Sequence, residues 1–394
     1  MTMTPTVNTD NPLSDLLTNA AEEMDLRPEM RLVLRGIYRR AETHLRENLG
    51  EDTDWQVYPQ GSVRLGTVVR PSNKADYDLD VVVRSSKPKE QLTQAELKGE
   101  VGDVIKSFAN AEASGDTPPT GCDEGGRCWT IGYPGVHVDW LPAIGDPEAR
   151  QDSGILLTDR KLTRWQFGDP KAYSDWFQQQ QIMSEVLLRK SALAAAANVD
   201  VEDIPDDEVR TTLHRLAQTL KIHRNEMFAG DPSLQPPSII LTHLAALSYS
   251  GGNLIDELAN AADRLPTLMT KTPSGMWVLE NPMQPKENFA DRWTDEHQAK
   301  FLTWIEKLRR DIDDFDRVPA GLQHMVARLG ESFGLDTVTK AATRGTGMNT
   351  TAAVGAGLAG VTSSGLVTTG PSTNASPRTD LRPHRFHGGH VPQR

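Results

Sequence analysis

Apolar positions along the first fifty residues recur at three-to-four spacing: Leu13, Leu16, Leu17 and Ala20, then Met30, Leu32, Val33, Ile37 and Tyr38. That period predicts amphipathic helix over residues 12–49, broken or kinked at Pro28 and stopped at Gly50. The pattern then changes to short β-rich runs bounded by turn residues. "WQVYPQGS", "DYDLDVVVRS", "CWTIGY" and "VHVDWLPA" predict a sheet over residues 51–145, with one helix inserted at 89–111. Helical periodicity returns after Thr163, with segments at 172–190, 206–228, 238–247, 254–268, 294–315 and 322–333. From Arg344 onward the chain is Gly, Thr, Ser, Ala and Pro with few large apolar residues, too little to offset the entropy of ordering. The expected organisation is an N-terminal helical segment (1–50) packing across two lobes, a small α/β lobe (51–163), a helical lobe (164–343) and a mostly disordered tail (344–394).

Composition narrows the function classes. At 394 residues and 37% hydrophobic content the chain has room for two domains. No apolar run is long enough for a membrane span, and the N-terminus lacks the basic and apolar blocks of a signal peptide. Cys122 and Cys128 are the only cysteines, which excludes a disulfide framework and leads us to expect a cytoplasmic protein without membrane partners. The net charge is −12, yet residues 344–394 hold five arginines against Asp380 alone. Upstream there remain 37 Lys+Arg against 53 Asp+Glu, a balance of −16. A body that acidic does not suit tracking long nucleic acid, although a small anion could still sit in a locally basic pocket.

The candidate chemistry lies between Tyr58 and Val83, "YPQGSVRLGTVVRPSNKADYDLDVVV". Gly61 and Ser62 follow a short strand and open a helical turn, where free backbone N–H groups and the hydroxyl suit a phosphate. Serine near an N-cap is also an ordinary structural habit. Asp76, Asp78 and Asp80 alternate into the apolar run Val81-Val82-Val83, so the three can share one face of a strand. Two such charges about 4 Å apart repel by roughly 4 kcal/mol near a protein surface, so the cluster needs water, a cation or a metal. In "VHVDWLPA" Val136, Val138 and Trp140 alternate with His137 and Asp139. If the two strands are neighbours, Asp139 joins the cluster, and a few carboxylates with water and phosphates suit Mg²⁺.

A Gly-Ser turn, an Asp-x-Asp pair 16 residues on and a lone strand Asp downstream resemble the active-site pattern of the DNA polymerase β-like nucleotidyltransferases. Within that superfamily the chain resembles the bacterial cGAS/DncV-like family through "PQGSVRLGT", "DYDLDVVV", "VHVDWLPA", "RWQFGDPKAYSDWF", "LKIHRNEMF" and "NPMQPKENFADRW". The resemblance spans about residues 10–335. It implies an α+β fold: a bilobal, polymerase β-like enzyme with an oligoadenylate-synthetase-like helical lobe and a cleft between the lobes. It also implies synthesis of a cyclic oligonucleotide, a dinucleotide by family habit, from ATP or GTP in anti-phage (CBASS) signalling. Two Mg²⁺ ions, with Mn²⁺ as an alternative, would sit on Asp78, Asp80 and Asp139, while Asp76 would serve as a turn or outer residue. Gly61 and Ser62 would hold the donor phosphates. Lys221 and Ser238, the latter capping its helix, would contact them too, and Gln60 and Asn288 would lie near the nucleotide. Accessory defence proteins are the partners implied, through the tail, although the chain ends without a terminal Gly.

The same carboxylates serve template-independent RNA-tailing enzymes and transferases to small acceptors, which are the alternative reading. Cys122 and Cys128 lack the nearby partners of a zinc site, and His384, His387 and His390 are irregularly spaced. Trp165, Phe167, Tyr173, Trp176 and Phe177 read as packing at the lobe junction, with one free to stack on a base.

Overall fold

The computed structural model describes residues 12–50, 54–70, 76–159, 161–181, 210–315, 317, 321–345, 359–361 and 367–369. The first helical pattern resolves into α1 (Pro12–Glu23) and α2 (Pro28–Asn48), with Pro28 at the first turn of α2, where a missing N–H costs nothing. The two helices serve different cores. Leu16, Leu17 and Ala20 of α1 pack among the helices of the second half of the chain, while Leu34, Ile37, Tyr38 and Leu45 of α2 pack beneath the sheet.

The sheet contains β1 (Trp55–Pro59), β2 (Tyr77–Ser85), β3 (Gly121–Glu124), β4 (Trp129–Tyr133), β5 (Val136–Gly145), β6 (Ile155–Leu157) and β7 (Gln166–Gly168). Its order is β1-β2-β5-β4-β3, with β6 and β7 extending from the end of β5. One turn of helix, α3 (Gly61–Arg64), follows β1, and α4 (Gln94–Glu112) crosses between β2 and β3. β2 and β5 run parallel at the centre and their neighbours are antiparallel. Alternation divides β2: Tyr77, Leu79, Val81 and Val83 face the core under α2 and α4. Val82 packs on the other face with Tyr58, Leu141, Ala143, Ile155 and Leu157. Asp78 and Asp80 share the parity of Val82, as Asp139 shares that of Leu141, so the carboxylates fall on this second face.

The remaining helices are α5 (Pro170–Gln179), α6 (Thr212–Met227), α7 (Ser238–Ser248), α8 (Leu254–Leu268), α9 (Asp295–Phe315), α10 (Leu322–Phe333) and α11 (Leu335–Gly345). Among them lies a hairpin of β8 (Thr270–Lys271) and β9 (Trp277–Val278). The α6 helix is buried on every side from Leu213 to Arg224, which makes it the spine of this half. The expected helices over 172–190 and 206–228 begin and end inside described structure only in part, since 182–209 lie outside the described residues.

The structure adds one helix at the end of the expected helical lobe. The sequence pattern places no helix after 322–333, yet α11 continues past Gly334, whose φ of +87° turns the chain, and buries Val338, Ala341 and Ala342. Beyond it β10 (Ala359–Val361) pairs antiparallel with β11 (Val367–Thr369); the rest of the expected tail lies outside the described residues. Among the described residues no helix is long and apolar enough to cross a membrane.

Candidate active site

The parallel register of β2 and β5 sets Asp80 opposite Asp139 and Asp78 opposite His137. One carboxylate oxygen from each of Asp78, Asp80 and Asp139 lies within 4.8 Å of the others. No described Lys or Arg makes an ion pair with any of them. Asp78 is pushed up to about 6, chiefly by burial of its charge and then by Asp139, with His137 pulling it back. Asp80 is pushed up to about 8 by burial, then by Asp78 and Asp139, while Arg127 opposes the shift. Three converging carboxylates short of positive charge fit a divalent cation, and their hard oxygens suit Mg²⁺ or Mn²⁺. Asp76 stands apart, 3.1 Å from Nε2 of His137.

The Gly-Ser turn is locked to this cluster. The Gln60 N–H donates to the Asp80 carbonyl at 2.8 Å. Gly61 then adopts a φ of +66°, and a Cβ there would lie 2.4 Å from Oδ2 of Asp80. Only glycine meets both demands, so the turn can press directly on the carboxylate. The N–H groups of α3 have no intrahelical acceptors and Ser62 is partly exposed beside them.

The turn and Asp80 form one wall of a cleft of about 630 Å³ between the sheet and the helices. Gln60, Gly61, Arg64 and Arg127 line one side; Tyr173, Pro237, Ile239, Glu287, Asn288 and Phe289 line the other. Trp165 and Phe167 also reach it, whereas Phe177 is fully buried. Glu287 is pushed up to about 7 by burial, against the Asn281 amide that donates to it at 2.6 Å.

Three expected phosphate or nucleotide contacts have other employment in this structure. Lys221 is buried and its ammonium donates to the carbonyl and hydroxyl of Thr67, both at 3.0 Å. It sits under the loop that follows the Gly-Ser turn and does not line the cleft, because α6 passes behind that wall. Ser238 is not the cap of α7: Pro237 is, and Ser238 is the first helical residue, exposed, with its hydroxyl 3.3 Å from the Arg224 guanidinium. Asn288 lines the cleft, but its amide serves the backbone, accepting from the N–H of Leu279 (2.8 Å) and Ala290 (3.0 Å) and donating to the Trp277 carbonyl (2.8 Å). It shapes the loop that carries Glu287 and Phe289.

One residue in contact with the cluster has no signal in the sequence. Thr130 on β4 lies directly across from Asp139, and its hydroxyl donates to Oδ1 of Asp139 at 2.5 Å. Only the strand register reveals this pair. Thr130→Val keeps the shape and removes the donor, and is expected to weaken Mn²⁺ binding by about tenfold or more. Calorimetric titration with Mn²⁺ checks this; Thr130→Ser should bind as the parent does, and unchanged affinity in Thr130→Val would refute the role.

No known protein-family profile matches the chain. Individual relatives do. It is 30% identical over 294 residues to the c-di-GMP synthase of Roseivirga ehrenbergii, a match covering 73% of this chain and 74% of the relative. It is 24% identical over 360 residues to the cyclic dinucleotide synthase CdnG of Bradyrhizobium diazoefficiens, covering 84% and 82%. The solved structure of that CdnG in complex with GTP superposes with a TM-score of 0.65 at 21% identity, over 85% of this chain and 100% of the other. The bilobal polymerase β-like fold is therefore shared, and with two synthases matched over most of their length, the chain belongs to the bacterial cGAS/DncV-like nucleotidyltransferase family and is a cyclic oligonucleotide synthase.

Proposed function

We propose that this enzyme joins two guanine nucleotides into cyclic di-GMP, as a second messenger in bacterial anti-phage signalling. The observation that carries the chemistry is the convergence of Asp78, Asp80 and Asp139 beside the Gly61 turn, on a cleft of nucleotide size. Guanine and the two-unit ring are supported by the relatives, a c-di-GMP synthase and a cyclic dinucleotide synthase. The basic composition of residues 344–394 supports contact of that segment with accessory defence proteins.

A ribose 3′- or 2′-hydroxyl oxygen attacks the α-phosphorus of an NTP. The phosphodiester forms as the bond between the α-phosphorus and its bridging oxygen breaks, and pyrophosphate leaves with that electron pair. The same step within the linear dinucleotide closes the ring. Asp139, oriented by Thr130, fixes the hydroxyl and takes its proton. The turn at Gly61 and Ser62 holds the donor phosphates, with Gln60 beside the nucleotide. Asp78, Asp80 and Asp139 would hold two divalent cations, which supply polarisation of the hydroxyl and charge neutralisation at the leaving pyrophosphate.

Incubation with each NTP in turn, followed by mass spectrometry, tests the product. GTP alone should give a phosphatase-resistant species with the mass of cyclic di-GMP. Equal yield from ATP alone contradicts the guanine reading, and extension of a labelled RNA primer would favour a tailing enzyme instead.

A further inference from the structure

Besides Asp80 of the metal cluster, four described carboxylates border the cleft: Asp159, Asp169, Glu287 and Asp291. Three of them are accounted for. Asp159 accepts the N–H of Thr163 at 2.8 Å. Asp169 caps α5, accepting the Ala172 N–H and the Ser153 hydroxyl, both at 3.0 Å. Asp291 stands exposed on a turn, where water serves it. Glu287 differs, being partly buried without a neutralising partner. Among the described residues no Lys or Arg makes an ion pair with it, and Arg127 acts on it only through its field.

The Glu287 carboxylate is nevertheless fixed in place. Asn281, 1% exposed, donates its side-chain amide to Oε2 at 2.6 Å and its backbone N–H to the Glu287 carbonyl at 2.9 Å. Asn281 is anchored in turn, because its Oδ1 accepts the Met283 N–H at 2.9 Å. Oε1 of Glu287 accepts no hydrogen bond from any described residue. Beside it lies Gly168 at the end of β7, where a Cβ would stand 3.9 Å from Oε1, so glycine leaves that oxygen uncovered. Burial pushes the carboxyl up to about 7 even with the Asn281 amide on it, which marks an acceptor short of donors. Trp165, Phe167 and Phe289 line the same cleft and offer flat apolar surface for a base.

An ionised carboxylate only accepts, and it takes two N–H groups side by side. Guanine alone among the four bases presents such a pair on its pairing edge, N1–H beside the 2-amino group. Adenine sets the acceptor N1 beside its amino group, cytosine does the same with N3, and uracil has a single N–H between two carbonyls. We propose that Glu287 is the specificity-determining residue for guanine, accepting N1–H and the 2-amino group of a bound GTP, with Asn281 as the residue that positions it. The inference rests on the cyclic di-GMP reading above and names the group that imposes it. With any other base the carboxylate stays unpaired in a partly buried place, and that penalty makes the discrimination.

Calorimetric titration tests it with analogues of GTP, ITP and ATP that carry a methylene between the α- and β-phosphates and so do not react. Inosine is the guanine nucleoside without its 2-amino group. The unvaried protein should bind the GTP analogue about tenfold or more tighter than either of the others. Glu287→Gln should lose about tenfold or more for the GTP analogue and bind the ATP analogue at least as tightly, because an amide offers adenine both a donor and an acceptor. A variant that keeps the parent's full preference for GTP overturns the proposal alone and leaves the product reading standing. An equal loss for all three analogues marks a structural role and also overturns it. If Glu287→Gln does not fold, the unvaried protein decides, since ITP and GTP analogues bound alike overturn the proposal. Equal binding of the GTP and ATP analogues by the unvaried protein would contradict the guanine reading itself, and the proposal with it.

Discussion

Asp80→Asn is expected to reduce phosphodiester formation by more than about 100-fold while making the metal-free protein more stable at pH 8. The two effects have one cause. The Asp80 carboxyl is pushed from the ordinary 3.8 up to about 8 by burial and by its two acidic neighbours, and Asp78 up to about 6. Folded protein thus retains protons that the unfolded chain releases near pH 4. Stability from this source is fully present below about pH 4 and is lost as pH rises through 6 and 8. Asparagine does not ionise, so the substitution removes most of that slope. In EDTA its melting temperature should exceed the parent's by about 2 °C or more at pH 8, with little difference at pH 5. Added Mg²⁺ should stabilise the parent most at pH 8, where protons no longer compete, and should not stabilise the variant. A variant less stable than its parent in EDTA at pH 8 would mean that the carboxylates do not crowd one another as described.

Gly61→Ala is expected to cost activity on a similar scale, by a different route. The added methyl meets Oδ2 of Asp80 at 2.4 Å, and the backbone φ of +66° is unfavourable for any residue with a Cβ. The Asp80 backbone cannot retreat, because its carbonyl receives the Gln60 N–H and its strand is held on both sides by β1 and β5. Either the carboxylate swings away from Asp78 and Asp139 or the turn shifts and carries its free N–H groups with it, and both disturb the site. Loss of at least about 100-fold in kcat/KM, with a melting temperature within a few degrees of the parent, is the expected pairing. Wild-type kinetics in Gly61→Ala would show that the contact between turn and carboxylate is dispensable.

Much of this was legible in the chain because the informative patterns are local. Period-two alternation through "DYDLDVVV" and "VHVDWLPA" fixes which face each aspartate takes, and a Gly-Ser turn needs only its neighbours to form. The helices from α7 to α10 announce themselves by period. What the sequence hides is non-local. β3, β6 and β7 are three or four residues long, too short for a pattern. Gly334 just before α11, with Thr337, Thr339 and Thr343 within it, obscures a helix whose apolar face is narrow. Lys221, Ser238 and Asn288 were identifiable as residue types but not by environment. Lys221 finds Thr67 across 154 residues, and the Asn288 amide folds back on its own loop. Thr130 depends on strand register, which a linear pattern does not contain.

Closure of the nucleotide ring is proposed to depend on Asp78, Asp80 and Asp139. The direct measurement is the yield of phosphatase-resistant, radiolabelled product from α-labelled GTP and Mg²⁺, compared between the unvaried enzyme and Asp78→Ala/Asp80→Ala. The enzyme should give a resistant cyclic product with pyrophosphate released for each bond, and the double variant none. Linear, phosphatase-sensitive products from the active enzyme, or resistant product from the double variant, would contradict it.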